Sequence, residues 1–207
     1  MNTVWFWRGL YAAALALGIT LAGLLHPATP SVPKPSVPAA VVKIQLPGSH
    51  GSGVHIGAGR IITAAHVVSK ASTVSVIDSN GVSREGTVLW SNTEYDVALV
   101  AAPPLTSEGL TLACRPLKVG EEVRMDGYPF KLGIVTTFGR VASGQAIQQG
   151  QWKEVSLVDG TLAPGMSGGP VTATDGSLVG INVGVIPGYP ISSIVASGVL
   201  CGLLGRS

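Results

Sequence analysis

The chain has 207 residues, a length that fits one domain with a short appendage better than two large domains. Hydrophobic residues make up 46% of it and charged residues 12%, with 28 Gly and 14 Pro, which excludes disorder over most of the length and also a coiled coil. The 13 Lys and Arg and 11 Asp and Glu are scattered and give a formal charge of +2, so no nucleic-acid partner is expected.

The N-terminal segment, residues 1–26, is predicted to be a signal peptide or a membrane anchor. Leu10–Leu25 runs 16 residues without a charge, between the roughly 7–15 of the apolar core of a signal peptide and the roughly 17–25 of a spanning helix. A clean cleavage site is missing, and aromatic residues near the start suit a membrane interface. The pattern therefore slightly favours a hydrophobic helix that stays uncleaved and contacts the membrane through residues 4–25.

Residues 27–38 form a proline-rich linker. Prolines at 27, 30, 33, 35 and 38 favour an extended polyproline-type spacer, so the folded domain is predicted to cover 39–207. An anchor would leave this domain membrane-bound and extracytoplasmic, and cleavage would leave it secreted or periplasmic. Both interpretations predict an exported protein.

From Val41 onward, short apolar or alternating runs are separated by Gly, Pro, Asn and Asp turns, which is typical of an all-β fold. The predicted strands are Val41–Gln45, Ser52–Ile56, Arg60–Thr63, Thr73–Asp78, Val82–Trp90, Val97–Ala101, Glu122–Tyr128, Val135–Ser143, Lys153–Leu157, Val171–Thr174, Leu178–Val185 and Ile191–Val195. So many strands indicate a sandwich or two small antiparallel barrels. A short helix is predicted only at the C-terminus, over Ala196–Leu204.

Three segments carry one reactive side chain each: His66 after Thr63-Ala64-Ala65, Asp96 before Val97-Ala98-Leu99-Val100, and Ser167 within Gly165-Met166-Ser167-Gly168-Gly169. A serine hydroxyl becomes a good nucleophile when an imidazole takes its proton, and the imidazole needs a carboxylate to orient it. These three residue types together predict nucleophilic catalysis.

Chain order separates the folds that use this chemistry. Gly165–Gly169 also fits the nucleophile elbow of α/β-hydrolases, but that fold requires a histidine after the serine, and every histidine here comes before Ser167. The subtilisin order requires an acid before the histidine, and the first acid is Asp78. The remaining order is histidine, aspartate, serine.

Asp96 is the best candidate for the orienting acid, because it adjoins an apolar strand that would hold it rigidly. Asp78 precedes a hairpin signal and is predicted to be a turn residue. The glycines around Ser167 allow a sharp turn, so the N–H groups of Gly165 and Ser167 are expected to form an oxyanion hole.

These residues resemble a trypsin-like serine protease, and most of all the protease domain of the bacterial HtrA/Deg group. The resemblance includes Gly51-Ser52-Gly53-Val54, the run from Arg60 to Val68, the Asp96 strand, Gly127–Gly133, and the segment from Asp159 to Pro170, and it covers roughly residues 40–195. It implies a chymotrypsin-like fold of two six-stranded antiparallel β-barrels, with His66 and Asp96 on the first and Ser167 on the second. No PDZ module is expected after this domain.

The resemblance implies a serine endopeptidase acting on polypeptide substrates. Thr161 would lie near the base of the primary specificity pocket, with Val183, Gly184 and Val185 along its wall. Nothing acidic is expected there, and an unpaired buried cation is unfavourable, so small or aliphatic P1 residues are predicted. No cofactor is implied, and no metal site is expected because His50 and His55 lack nearby ligand partners.

Two points stay open in the sequence. Met166 departs from the Asn that HtrA-like enzymes usually carry there, and this keeps alive a catalytically silent domain that binds peptides or serves as a tethered scaffold. Cys114 and Cys201 form either one disulfide or two buried thiols. Trp90 and Trp152 are interpreted as packing residues.

Overall fold

The computed structural model describes residues 39–130 and 132–205, and this part of the chain is mainly β-structure. Its strands are β1 Val41–Leu46, β2 Ser49–His55, β3 Arg60–Thr63, β4 Thr73–Ile77, β5 Ser83–Asn92, β6 Val97–Ala101, β7 Glu122–Gly127, β8 Val135–Gln149, β9 Trp152–Asp159, β10 Pro170–Ala173, β11 Leu178–Val185 and β12 Ile191–Ala196. Two helices accompany them, α1 Ala65–Val68 and α2 Ser197–Leu204. Each predicted strand is present, in the predicted order, and the all-β prediction is confirmed.

The strands close into two antiparallel barrels of six strands each. The first has the order β1-β2-β3-β6-β5-β4, and β4 pairs back onto β1. The second has the order β10-β11-β12-β9-β8-β7, and β7 pairs back onto β10. Of the two arrangements that the strand pattern left open, the barrels are therefore correct. Closure also leaves neither sheet with a free edge.

Alternation along the strands decides which side chains enter the barrels. In β4, Val74 and Val76 are buried while their neighbours Thr73, Ser75 and Ile77 are exposed or half-buried. Side chains on a strand alternate between its two faces, so this period of two points the valines inward. Asp78 follows directly and accepts the N–H groups of the turn at 80–82, which confirms its predicted turn role.

One buried hydrophobic cluster continues from the first barrel into the second. It contains Ile62 and Leu99 of the first barrel together with Leu178, Ile181 and Val195 of the second. Protein interiors are close-packed, so a shared cluster of this kind resists movement of one barrel against the other.

The C-terminal helix predicted over Ala196–Leu204 is present as α2. Its Cys201 forms a disulfide with Cys114, which lies in the segment that connects the barrels. The two cysteines therefore form a disulfide rather than two buried thiols, and this bond links the segment between the barrels to the C-terminal helix.

The hairpin of β8 and β9 is longer than predicted. The sequence analysis places the end of β8 at Ser143, but the strand continues to Gln149. Register shifts after Val141, Ser143 and Ile147 absorb the irregular residues while pairing with β9 persists. The extended hairpin carries Trp152 to the candidate site.

The predicted targeting segment 1–26 and the linker 27–38 lie outside the described residues, as does the N-terminal helix. Within 39–130 and 132–205, neither helix has the length and apolarity needed to cross a membrane.

We expect the disulfide to stabilise the domain strongly, because it spans 87 residues. Loss of such a cross-link typically lowers the free energy of unfolding by about 2–5 kcal/mol. Thermal unfolding with and without reductant should therefore show a clear drop in Tm on reduction. A Cys114→Ser/Cys201→Ser double variant should match the reduced protein and ignore reductant, and an unchanged Tm on reduction would contradict a stabilising bond.

His55 should make the domain sensitive to acid. Its side chain is 4% exposed, and burial lowers its pKa, an effect that the backbone of Ser107 opposes only in part. The unfolded chain therefore binds a proton near the usual value of about 6.5, where the folded chain stays neutral. Stability should be full above that pH and fall as the pH drops from it toward the lowered pKa.

Urea unfolding at a series of pH values checks this, with His55→Gln as the variant that cannot titrate. The variant should lose this part of the pH dependence. If wild type and variant show the same slope between about pH 6.5 and 5, the destabilisation comes from other groups.

Candidate active site

The carboxylate of Asp96 holds His66 at two points. The backbone N–H of His66 donates to Asp96 Oδ1 at 2.9 Å, and the ring Nδ1 donates to Oδ2 at 2.7 Å. The first of these bonds is possible because His66 lies in the first turn of α1, where backbone N–H groups have no partner within the helix. The structure thus brings these two predicted residues together.

Asp96 sits in a turn directly before β6, with a φ of 55° and a side chain that is 2% exposed. Aspartate tolerates this left-handed backbone better than most residues. The following strand is buried over Val97–Val100 and fixes the turn from one side. The position of the carboxylate is therefore determined by the backbone rather than by a flexible side chain.

The Asp96 contact also decides how the His66 ring can act. A carboxylate accepts hydrogen bonds, so Nδ1 carries the hydrogen, and Nε2 of the neutral ring is free to accept a proton. The His66 side chain is 41% exposed. This is the arrangement that a general base requires.

Ser167 lies in the loop between β9 and β10, where two glycines with positive φ are needed. Gly165 has a φ of 100° and Gly168 a φ of 83°. A Cβ at Gly168 would lie 2.2 Å from Ser52 O, and one at Gly165 would lie 2.4 Å from Tyr128 O. Both close approach and backbone conformation therefore require glycine on each side of the serine.

The hydroxyl of Ser167 donates to Val183 O at 3.4 Å. Among the hydrogen bonds of residues 39–130 and 132–205, none joins this hydroxyl to the His66 ring. Catalytic hydrogen bonds are often loose without substrate, and rotation about the Cα–Cβ bond would turn Oγ away from Val183.

Two neighbouring backbone donors in the serine loop are unused. Within the described part of the chain, neither Gly165 N–H nor Ser167 N–H donates to any acceptor, whereas Met166 N–H between them donates to Ala163 O at 3.0 Å. Free donors on both sides of a bonded one can serve an oxyanion.

The side chain of Met166 packs the serine loop against the core of the second barrel. Its side chain is fully buried in the core of the second barrel, and its sulfur lies 3.5 Å from Ala163 N. Gly127 packs against it so closely that a Cβ there would lie 2.7 Å from Met166 Cα. The departure at this position is thus accommodated by apolar packing.

The residues predicted to line the primary pocket lie on two elements. Val183, Gly184 and Val185 form the end of β11, and Val183 O contacts the Ser167 hydroxyl. Thr161 is exposed in the segment that leads from β9 into the serine loop. None of these four side chains carries a charge.

Sequence reasoning missed the role of Trp152 in the site. Its ring stacks on the His66 ring, with centroids 6.4 Å apart and planes inclined by 27°, and it covers Gly184. The next residue, Lys153, donates its backbone N–H to Glu94 O at 2.8 Å and forms an ion pair with the Glu94 carboxylate at 3.1 Å. The β8–β9 hairpin is therefore bonded to the first barrel at Glu94, two residues before Asp96. In the sequence, the one signal for the position of Trp152 is that it directly follows the Gly150-Gln151 turn.

Asn182 is a second residue that sequence reasoning missed. It is fully buried on β11, and its amide donates to Asp126 O at 3.2 Å and to Met166 O at 3.4 Å. Its backbone carbonyl accepts Gly168 N–H at 2.7 Å. These bonds fix the serine loop to the sheet.

No group of three or more His, Cys, Asp or Glu side chains within the described ranges is placed to hold a metal ion.

A family model for a trypsin-like peptidase domain matches residues 51–181. Among curated proteins, serine protease HTR4 of Rattus norvegicus is 33% identical over 150 residues, which cover 67% of this chain and 30% of that protein. A protein of Halomonas elongata named "Probable periplasmic serine endoprotease DegP-like" is 33% identical over 137 residues, which cover 65% of this chain and 29% of that protein. The chain thus spans about a third of the length of these relatives.

Among solved structures, the Rv3671c protease from M. tuberculosis in its active form superposes with a TM-score of 0.74 at 26% identity. The match covers 87% of this chain and 91% of that one. An HtrA-type protease, AlgW, gives a TM-score of 0.75 at 22% identity and supports the same fold.

Proposed function

This chain belongs to the trypsin-like peptidase domain family and has HtrA-type proteins among its relatives, and on that premise we propose that it is a serine endopeptidase using His66, Asp96 and Ser167. The single observation that carries the proposal is the double contact of Asp96 with His66, at 2.9 and 2.7 Å. A histidine that serves only in packing does not require a buried carboxylate that fixes its tautomer.

In the acylation step, Nε2 of His66 takes the proton of the Ser167 hydroxyl, and Oγ attacks the carbonyl carbon of the substrate peptide bond. The C=O electrons move onto oxygen, which becomes an oxyanion. His66, now positively charged beside Asp96, gives the proton to the leaving amine, and the C–N bond breaks. An acyl-enzyme ester on Ser167 remains.

In the deacylation step, water takes the place of the amine product. His66 removes a proton from this water, whose oxygen attacks the ester carbon. The Oγ–C bond then breaks, and Ser167 regains its proton from His66. The carboxylic acid product leaves, and the site returns to its starting state.

The oxyanion of both steps would bind the N–H groups of Gly165 and Ser167. These donors have no other acceptor in the described part of the chain. Fixed donors aimed at a developing charge need no reorganisation during the reaction, and removal of one such donor typically costs about 2.7–4 kcal/mol of transition-state stabilisation.

The proposed substrates are polypeptides with a small or aliphatic P1 residue. Val183, Gly184 and Val185 carry no charge, and Thr161 has only a hydroxyl. A substrate Lys or Arg would be buried there without a carboxylate partner, and this is unfavourable.

We propose that the protein acts outside the cytoplasm. The Cys114–Cys201 disulfide supports an oxidising compartment, and the Halomonas elongata relative carries a periplasmic endoprotease in its name. The proposed signal or anchor in residues 1–26 would deliver the domain there, and an uncleaved anchor would keep it at the membrane.

The proposal is tested with fluorogenic peptides that carry Ala, Val, Leu, Lys or Arg at P1, using the full chain. Peptides with aliphatic P1 residues should be cleaved best. Ser167→Ala, His66→Ala and Asp96→Asn should each lower kcat by about 10⁴-fold or more, because the nucleophile, its base or the ring tautomer is lost.

Asp175→Asn is the matched control, since this acid lies in an exposed turn with Ser177 and its loss should leave kcat unchanged. Cleavage that survives Ser167→Ala would exclude the acyl-enzyme mechanism. A folded wild-type chain that cleaves none of the peptides would favour a peptide-binding or scaffold domain.

A further inference from the structure

We propose that two side chains of β2, Ser52 and His50, are positioning residues for the oxyanion hole: they hold Gly165 in the conformation that presents its N–H to the substrate. This inference rests on the proposed function, because the task of Gly165 is part of that proposal. Neither residue touches the reacting atoms, and neither is a member of the catalytic triad.

The hydroxyl and the backbone N–H of Ser52 both form hydrogen bonds to the second barrel. Its side chain is fully buried, and its hydroxyl donates to Gly165 O at 2.7 Å while accepting Tyr128 N–H at 2.9 Å. Its backbone N–H donates to Ser167 O at 2.8 Å. One residue of the first barrel thus contacts both sides of the serine loop.

His50 lies two residues before Ser52 and so faces the same side of the strand. Its Nε2–H donates to Tyr128 O at 3.1 Å, and a Cβ on Gly165 would lie 2.7 Å from this nitrogen. Phe130 N–H donates to Pro164 O at 2.9 Å. Ser52, His50 and the segment 128–130 together surround Gly165, and we call them the Gly165 cradle.

The cradle fixes the peptide planes on both sides of Gly165. In a trans peptide the C=O and N–H groups point in opposite directions, so the bond from Phe130 to Pro164 O turns Gly165 N–H away from residue 130. The Ser52 hydroxyl holds Gly165 O and thus the next peptide plane. With both planes held, Gly165 keeps its φ of 100°.

Glycine would otherwise sample several backbone conformations, since it has no Cβ to restrict it. A donor that points at the oxyanion only part of the time stabilises the transition state less. The position of the Gly165 N–H therefore depends on side chains from the other barrel.

Ser52→Ala tests this role in kinetics. Removal of an oxyanion donor typically lowers kcat by about 10²–10³-fold, so loosening one should lower it by about tenfold or more. KM should change little, because the oxyanion contact forms only in the transition state. His50→Ala removes the outer part of the cradle at a half-buried position and should give a smaller loss of the same kind.

A peptide aldehyde separates positioning from general damage. It forms a tetrahedral adduct with Ser167 that bears the oxyanion, whereas the matching peptide amide does not. Ser52→Ala should weaken aldehyde binding by about tenfold and leave amide binding unchanged. Val76→Ala is the control. It creates a cavity in the core of the first barrel, on β4, and should lower stability but not kcat.

Amide hydrogen exchange measured by NMR gives a readout that needs no activity. The Phe130 N–H is bonded to Pro164 O and has no bond to Ser52. It should exchange at least tenfold faster in folded Ser52→Ala, while amides of β10 and β11 keep their protection. The same measurement on His50→Ala stands in if Ser52→Ala does not fold.

The outcomes separate the two proposals. A wild-type chain without peptidase activity overturns the proposed function, and the Phe130 exchange then still decides whether the cradle holds the loop. Unchanged kcat, equal loss of aldehyde and amide binding, or unchanged Phe130 exchange in the folded variants would overturn the positioning role.

Discussion

The site depends on a fixed contact between two barrels, because His66 and Asp96 lie on the first and Ser167 on the second. The bond from Ser52 N–H to Ser167 O, 2.8 Å long, joins the barrels directly at the serine. A hydrophobic cluster with residues from both barrels also holds them together. In addition, the Trp152 ring of the second barrel stacks on the His66 ring of the first. A displacement of about 1 Å between reacting groups can lower a rate by about a hundredfold, so this interface must be rigid.

Hydrogen bonds from His66 compensate for the burial of the Asp96 carboxylate. Asp96 is 2% exposed, and an unpaired carboxylate there would be strongly unfavourable. Both oxygens receive hydrogen bonds from His66, one from the backbone and one from the ring. The hydrogen bonds that stabilise the carboxylate also orient the His66 ring, so folding stability and the proposed role of His66 as a base place the same requirement on this position.

Much of this arrangement is predictable from residue types and chain order. Alternation in segments such as Val74 to Val76 predicts strands, and the order of His66, Asp96 and Ser167 excludes the competing folds. The Cys114–Cys201 bond, the length of the β8–β9 hairpin and the place of Trp152 over His66 are not predictable in this way. The disulfide and the Trp152–His66 contact join residues far apart in the chain, which no local pattern encodes. The hairpin is local, but its register shifts break the regular alternation by which a strand is recognised in the sequence.

Covalent labelling with a fluorophosphonate probe tests most directly whether Ser167 is an activated nucleophile, as we propose. The probe phosphonylates a serine only where a base removes its proton and donors stabilise the resulting charge. Intact-mass and peptide analysis should show a single adduct, located on Ser167 and absent from Ser167→Ala. A folded chain that stays unlabelled, or one labelled at another residue, would contradict the account.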